Sequence, residues 1–290
     1  MRFSYAETFC DPSYLAPLAQ AAEAAGYDSF VVPDSLIFPA ESDTSYPYTA
    51  DGDRAFLEDK PIIEPLTLVP YLAAQTTRIR FTTFVLKLAV RPVVLVAKQA
   101  ASVAVLSGDR LRLGVGISPW PEDFAALDVP WERRGRRLDE QLEVLRGLTA
   151  GGWFEFHGEQ IDVARCKIAP VPAKPIPLLV GGHADVALRR AARAGDGWIH
   201  AGGDPAELAT MIARVHALRK EHGYTSEPFE IHAISLDAFS IDGVRRLEEL
   251  GVTDVIVGFR YPYTTEPDTQ PLTEKIDLLQ RFGESVIAKV

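Results

Sequence analysis

Two short stretches carry the residue types that could do chemistry. Leu113-Gly-Val-Gly-Ile-Ser-Pro-Trp120 and Leu179-Val-Gly-Gly-His183 each end an apolar run in glycines, where a strand should meet a loop. Glycines at such a point let the main chain approach a ligand without side-chain obstruction and leave backbone N–H groups free to face an anion. After Gly181-Gly182 the run from His183 to Gly195 has the pattern of a helix, whose positive N-terminal end would face the same place. Phosphate is the natural guest of such a floor. The plain alternative is that these glycines only make tight turns.

The rest of the chain must supply the elements that hold these stretches. At 290 residues, 47% hydrophobic and 24% charged, it can bury a large core, and it suits one α/β domain over residues 1–290 better than two small ones. Lys+Arg of 30 against Asp+Glu of 40 gives a net charge of −10, which argues against nucleic acid or an anionic membrane as partner and favours small molecules. Cys10 and Cys166 are the only cysteines, with no metal-type spacing and no support for a disulfide, and a reducing cytoplasm fits them. The first residues start directly as a strand with no basic, apolar leader, and no apolar stretch is long enough for a bilayer, so the expected location is cytoplasmic.

Short β-rich runs alternate with longer helical patterns. Strands are predicted at Arg2–Tyr5, Ser29–Val32, Ile79–Leu86, Leu111–Gly116, Ile176–Val180, Gly197–Ala201, Phe229–Ser235 and Asp254–Gly258. Helices are predicted at Ser13–Ala25, Pro65–Thr76, Pro92–Leu106, Arg136–Thr149, Ala184–Ala194, Pro205–His222, Asp242–Leu250 and Leu272–Ile287. Leu138, Leu142, Leu145 and Leu148 fall on one helical face that would pack on a sheet. Gly26, Gly108 and Gly251 sit just past helix ends, where a left-handed residue is needed. Eight βα units with strands apolar on both faces are what a closed (β/α)8 TIM barrel requires. An open doubly wound sheet is disfavoured because no G-x-G-x-x-G follows the first strand and the chain has no obvious halves.

In such a barrel, chemistry gathers at the carboxyl ends of the strands. Here those positions are Glu7, Pro33-Asp34-Ser35, Lys87, Gly116 to Trp120, Gly181 to His183, His200, Ser235 and Arg260-Tyr261. Two connections are long. Residues 36–60, with Tyr46, Tyr48 and Phe56, could fold over the mouth as a lid. Residues 151–174 contain two alternating runs around a His-Gly-Glu turn and are expected to form an inserted β-hairpin. Each candidate side chain has a plainer reading beside the functional one. Asp34 either contacts a ligand or caps the following segment. Trp120 is expected at the pocket rim rather than in an exposed loop. His200 is the best spare imidazole, or a satisfied core histidine. Arg260 meets an anionic group or makes a surface salt bridge. His216 and His222 should be solvated, and Arg133 to Arg137 is a solvated face or a subunit contact. No pair of ligand residues has metal-site spacing, so no metal is expected.

These residues resemble the luciferase-like monooxygenase superfamily of flavin- and deazaflavin-dependent oxidoreductases, nearly end to end. The resemblance rests on Ala21-Ala-Glu-Ala-Ala-Gly-Tyr-Asp-Ser-Phe-Val-Val-Pro-Asp-Ser35, Thr76-Thr-Arg-Ile-Arg-Phe-Thr-Thr-Phe-Val-Leu86, Pro92-Val-Val-Leu-Val-Ala-Lys-Gln-Ala100 and Leu106-Ser-Gly-Asp-Arg-Leu-Arg-Leu-Gly-Val-Gly116. Further on it includes Glu132-Arg-Arg-Gly-Arg-Arg-Leu-Asp-Glu140, and Leu179-Val-Gly-Gly182 followed by Ala194-Gly-Asp-Gly-Trp198. The Ser45-Tyr-Pro-Tyr48 loop is similar to the branch of probable F420-dependent oxidoreductases.

The resemblance implies a cofactor ring lying across the barrel mouth, often against a non-proline cis peptide at the end of strand three, whose match is Phe84-Val85. Many deazaflavin members carry Asp-His after strand two; this chain has Asp34-Ser35, and a serine cannot supply an imidazole's proton transfer at neutral pH. Several FMN members place an arginine against the phosphate after strand four, where this chain has Ile117-Ser118, which leans toward coenzyme F420. The implied roles are ring orientation by Phe84 and Val85, cofactor contacts from Gly116, Ile117, Ser118, Gly181, Gly182 and His183, and substrate polarisation by Asp34, with Ser35 and His200 as the other catalytic candidates. Tyr46, Tyr48, Trp120 and Arg260 would line the substrate pocket. The expected activity is hydride transfer between F420 and a small organic substrate in a homodimer. The alternatives are an FMN-dependent monooxygenase and a barrel that binds such a ring without turnover.

Overall fold

The computed structural model describes every residue except Thr8, Ala50 and Thr225. The chain runs β1 (Arg2–Ala6), α1 (Leu15–Ala24), β2 (Ser29–Pro33), α2 (Pro65–Ala73), β3 (Arg80–Phe84), β4 (Leu86–Lys87) and α3 (Val93–Ser107). It continues through β5 (Leu111–Gly116), α4 (Pro121–Ala126), α5 (Arg134–Thr149), β6 (Phe154–His157), β7 (Asp162–Cys166), β8 (Leu178–Gly181) and α6 (Asp185–Ala194). Last come β9 (Gly197–His200), α7 (Pro205–Glu221), β10 (Glu230–Ile234), α8 (Ile241–Glu249), β11 (Asp254–Val257) and α9 (Leu272–Ser285). Neighbouring barrel strands pair in parallel, β3 with β5 and β1 with β11, so the sheet closes on itself as the eightfold (β/α) barrel.

The predicted third strand is interrupted at Val85, where the Phe84–Val85 peptide is cis, and resumes as β4. β6 and β7 form the inserted antiparallel hairpin, with Phe156 opposite Val163. Its turn is stapled to α5: Glu140 accepts the backbone N–H groups of Glu159, Gln160 and Ile161 at 2.8–2.9 Å, and Arg136 pairs with Glu140 and Glu159. Of the Arg133–Arg137 run, Arg133 and Arg136 thus face the hairpin acid Glu159, while Arg134 and Arg137 donate to the carbonyls of Trp131 and Pro130. Helix α4 was not anticipated, although Pro121 at its first turn with Glu122 and Asp123 behind it is an ordinary helix start. Cys10 and Cys166 are free.

Period-two alternation sorts every barrel strand into an inward and an outward set. The outward set, with Tyr5, Phe30, Phe81, Leu113 and Val180, joins the helices in the main core, where Leu138, Leu142, Leu145 and Leu148 of α5 are all about fully buried. The inward set forms two layers. At the amino end, Arg112 reaches Asp28 at 2.8 Å and Glu230 and Asp254 at 3.7 Å, Ser4 donates to Asp254 at 2.6 Å, and His232 meets Glu230 at 2.7 Å. At the carboxyl end the inward residues are apolar: Val31, Leu179, Ile199 and Ile256, with Ala6, Phe84, Val85 and Ile234 packed on them. Among the described residues no helix is long and apolar enough to cross a membrane.

Candidate functional site

A cavity of about 660 Å³ opens above the apolar inward layer. Its floor is Val31, Phe84, Val85, Ile199, Ile234 and Ile256, and its walls come from the strand-end loops. Val85 is held between two glycines: a Cβ on Gly116 would lie 2.8 Å from its Cγ2, and one on Gly181 would lie 2.9 Å from its Cγ1. These two glycines thus make room for the floor, not directly for an anion. Gly182 differs, with φ +122° and its carbonyl accepting the indole N–H of the buried Trp198 at 2.8 Å. Helix α6 begins at Asp185, two residues after His183, so the imidazole belongs to the turn that precedes it.

One wall is aromatic. Tyr46 stacks on Trp120 at 5.3 Å and 18° and meets Tyr48, Phe56 and Tyr263 at 5.4–5.8 Å, while Tyr48 stands edge-on to His183 at 5.3 Å. Trp120 is buried, backed by the Arg54 guanidinium at 4.4 Å, and Arg54 in turn pairs with Glu122 at 3.4 Å. Burial pushes the Tyr46 and Tyr48 phenols above their ordinary range, so both stay protonated donors at neutral pH. The segment 36–60 thus contributes Tyr46, Tyr48 and Phe56 to the cavity wall, with Ala50 outside the described residues.

The cavity brings together Ser35, Tyr46, Tyr48, Phe84, Val85 and Gly116 with Ile117, Trp120, Gly181, Gly182, His183 and Arg260. Arg260 donates from Nη2 to the Glu266 carbonyl at 2.6 Å, and its Nη1 has no partner among the described residues. Three expected roles fail. Asp34 lines the cavity, but its buried carboxylate accepts both Arg91 guanidinium nitrogens at 2.7 and 3.1 Å and the Lys87 backbone N–H at 2.8 Å, so it is committed to bracing β2 against β4. Ser118 is fully buried; its hydroxyl donates to Asp123 and accepts the Trp120 N–H at 3.1 Å, which closes the turn and keeps it from any phosphate. His200 shares the outward parity of Trp198, lies 1% exposed behind the wall, and stacks on His183 at 4.5 Å and 10°. It cannot touch a substrate.

Two groups matter more than their residue types announce. Glu7, beyond β1, lines the cavity; Tyr5 donates its hydroxyl to it, and Lys275 of α9 bridges Glu7 at 3.0 Å and Asp268 at 2.8 Å. Lys87 also lines the cavity, with its ammonium held by Asp123 at 2.7 Å. Both lie at strand ends, which is the signal that marks them. Arg54 and Tyr263 had no such marker, since each is brought in by a long irregular segment. Among the described residues no cluster of His, Cys, Asp and Glu could hold a metal ion.

The family model for luciferase-like monooxygenases matches residues 3–240. An uncharacterised Mycobacterium tuberculosis protein is 62% identical over 290 residues, all of both chains. The F420-dependent glucose-6-phosphate dehydrogenase of Amycolatopsis mediterranei is 30% identical over 204 residues, 69% of this chain and 56% of that one. The pyrimidine monooxygenase RutA of Allorhizobium ampelinum is 30% identical over 184 residues, 60% and 50% of the two chains. In shape, the coenzyme F420-dependent tetrahydromethanopterin reductase of Methanopyrus kandleri superposes with a TM-score of 0.75 at 16% identity, over 99% of this chain and 98% of that one, and so shares the fold. With a full-length relative and a family model spanning most of the barrel, the chain belongs to the luciferase-like monooxygenase family.

Proposed function

We propose that this protein is an oxidoreductase that uses coenzyme F420 to exchange hydride with a small organic substrate. The observation that carries the reading is the floor: an apolar platform of Val31, Phe84, Val85, Ile199, Ile234 and Ile256 beneath the cavity, with Ile117 following β5 where the resemblance puts an arginine in several FMN members. Such a platform fits a flat tricycle. Phe84, Val85, Ile199 and Ile256 would hold the ring, and the Gly182–His183 main chain with Arg260 would hold its phosphorylated side chain. When bound, the deazaflavin supplies two-electron hydride transfer without ready oxygen activation.

The chain's own groups would exclude water, orient the substrate and handle one proton. The Tyr46–Trp120 wall keeps solvent out. Ser35 and the Tyr48 phenol offer hydrogen bonds to a substrate oxygen. Glu7, which lines the cavity with its carboxyl fixed by Tyr5 and Lys275, would exchange the proton that accompanies hydride. The likeness to the pyrimidine monooxygenase RutA supports the rival reading, a monooxygenase with FMN as its cofactor. We place the protein in the cytoplasm and propose a homodimer, with small molecules rather than nucleic acids or membranes as partners. Fluorescence titration with F420 and with FMN, then reduction under air and under argon, tests the reading. Saturable F420 binding with no oxygen consumption is expected; FMN binding with oxygen uptake would replace it, and binding of neither would overturn it.

A further inference from the structure

The loop after β9 is held in an unusual way. Ala201, Gly202 and Gly203 line the cavity, with φ of +93° at Gly202 and +128° at Gly203. Two of their amides are satisfied by imidazoles: the Ala201 N–H donates to His183 Nε2 at 3.0 Å, and the Gly202 N–H donates to His200 Nδ1 at 3.2 Å. A ring nitrogen that accepts a hydrogen bond carries no proton. The neutral tautomers are therefore Nδ1–H for His183 and Nε2–H for His200. The two rings stack face to face at 4.5 Å and 10°.

Protonating either ring turns its acceptor into a donor aimed at another N–H, and protonating both places two positive charges face to face. The surroundings oppose charge. Trp198 packs on both rings at 5.5 and 6.4 Å, and Tyr48 covers the edge of His183. Among the described residues Glu207 of α7 is the anion that faces His183, and the Ile234 carbonyl faces His200 from β10 outside hydrogen-bond geometry. Burial, and then His183, push His200 down to about 4, and burial lowers His183 against the opposing pull of Glu207.

We infer that His183 and His200 are positioning residues: a neutral, stacked acceptor pair that clamps the Ala201-Gly202-Gly203 wall and releases it in acid. With both pKa values depressed in the folded form, the clamp is complete above the unfolded value near 6.5 and is lost as pH falls from there toward 4. The link to ligand rests on the proposed cofactor reading, since this wall faces the same cavity.

Ring ¹⁵N and amide NMR of the ligand-free protein tests the clamp without any cofactor. At pH 7.5 the expected tautomers are Nδ1–H at position 183 and Nε2–H at position 200, and the Ala201 and Gly202 amides should move together as the pH is lowered from 6.5 to 4. His200→Asn keeps an acceptor near the same place but cannot titrate, so its Gly202 amide should stay hydrogen-bonded yet stop responding to acid. His200→Phe keeps the stack but removes the acceptor; hydrogen exchange at Gly202 should rise about tenfold, the weight of one hydrogen bond. The opposite tautomers, or a Gly202 amide that titrates unchanged in His200→Asn, would overturn the inference. If the tautomers are as stated and F420 does not bind, the clamp stands and the cofactor reading falls.

Discussion

Glu7 and Asp34 are both carboxylates at strand ends, and their neighbours give them opposite tasks. Glu7 faces the cavity, so Glu7→Gln, which keeps the shape and loses the proton site, should lower turnover by about 10²-fold or more while F420 affinity measured by titration stays nearly unchanged. Asp34 faces Arg91 with its carboxylate fully buried and the guanidinium largely so. Arg91→Met leaves that charge uncompensated and should cost about 3–5 kcal/mol in urea unfolding. His200 is two residues from Trp198 and Asp34 two from Val32, both buried on the outward side, so counting parity along β9 and β2 from the apolar pattern would have turned both away from the mouth. Ser118 follows no strand parity, because it lies in a turn whose shape is set by Asp123.

At the level of elements, the mouth depends on how β4, β5 and β8 meet around Val85. Gly116→Ala places a methyl group 2.8 Å from Val85 Cγ2 and should cost about 1–3 kcal/mol with weaker cofactor binding. Combining it with Val85→Ala should recover part of that stability, a coupling that a double-mutant cycle in urea would measure. Additive losses would mean that the two side chains do not compete for this space. The positions of the barrel strands and helices were legible within a few residues because apolar period is a local property. The break at Val85 was not derivable from periodicity, and only the family resemblance pointed to it. Helix α3 exposes Leu95 and Leu106, three turns apart on one face. If this apolar face carries the proposed homodimer, Leu95→Glu with Leu106→Glu should yield a monomer by light scattering.

On the scale of the whole molecule, the barrel interior is charged at one end and apolar at the other. Although burial opposes it, the His232 hydrogen bond and the Arg112 and Arg2 charges hold the Glu230 carboxyl down at about 2, from 4.5. Its stabilising effect is complete above pH 4.5 and is lost as pH falls toward 2, so thermal melts followed by circular dichroism should show Tm dropping through that window. Arg112→Met should move the drop to higher pH and lower Tm even at neutrality. The eightfold count was legible from the chain, whereas the ionic layer was not: Asp28, Arg112, Glu230 and Asp254 are scattered over the sequence and meet only when the sheet closes. This stratification separates what keeps the protein folded from what it can accept. Tyr48, Ile117 and Tyr263 lie in loops that line the cavity at the apolar end of the barrel, opposite the ionic layer. Libraries at those three positions should therefore change ligand preference freely while Tm stays within about 2–4 °C of the parent, which makes this mouth a practical place to retrain specificity.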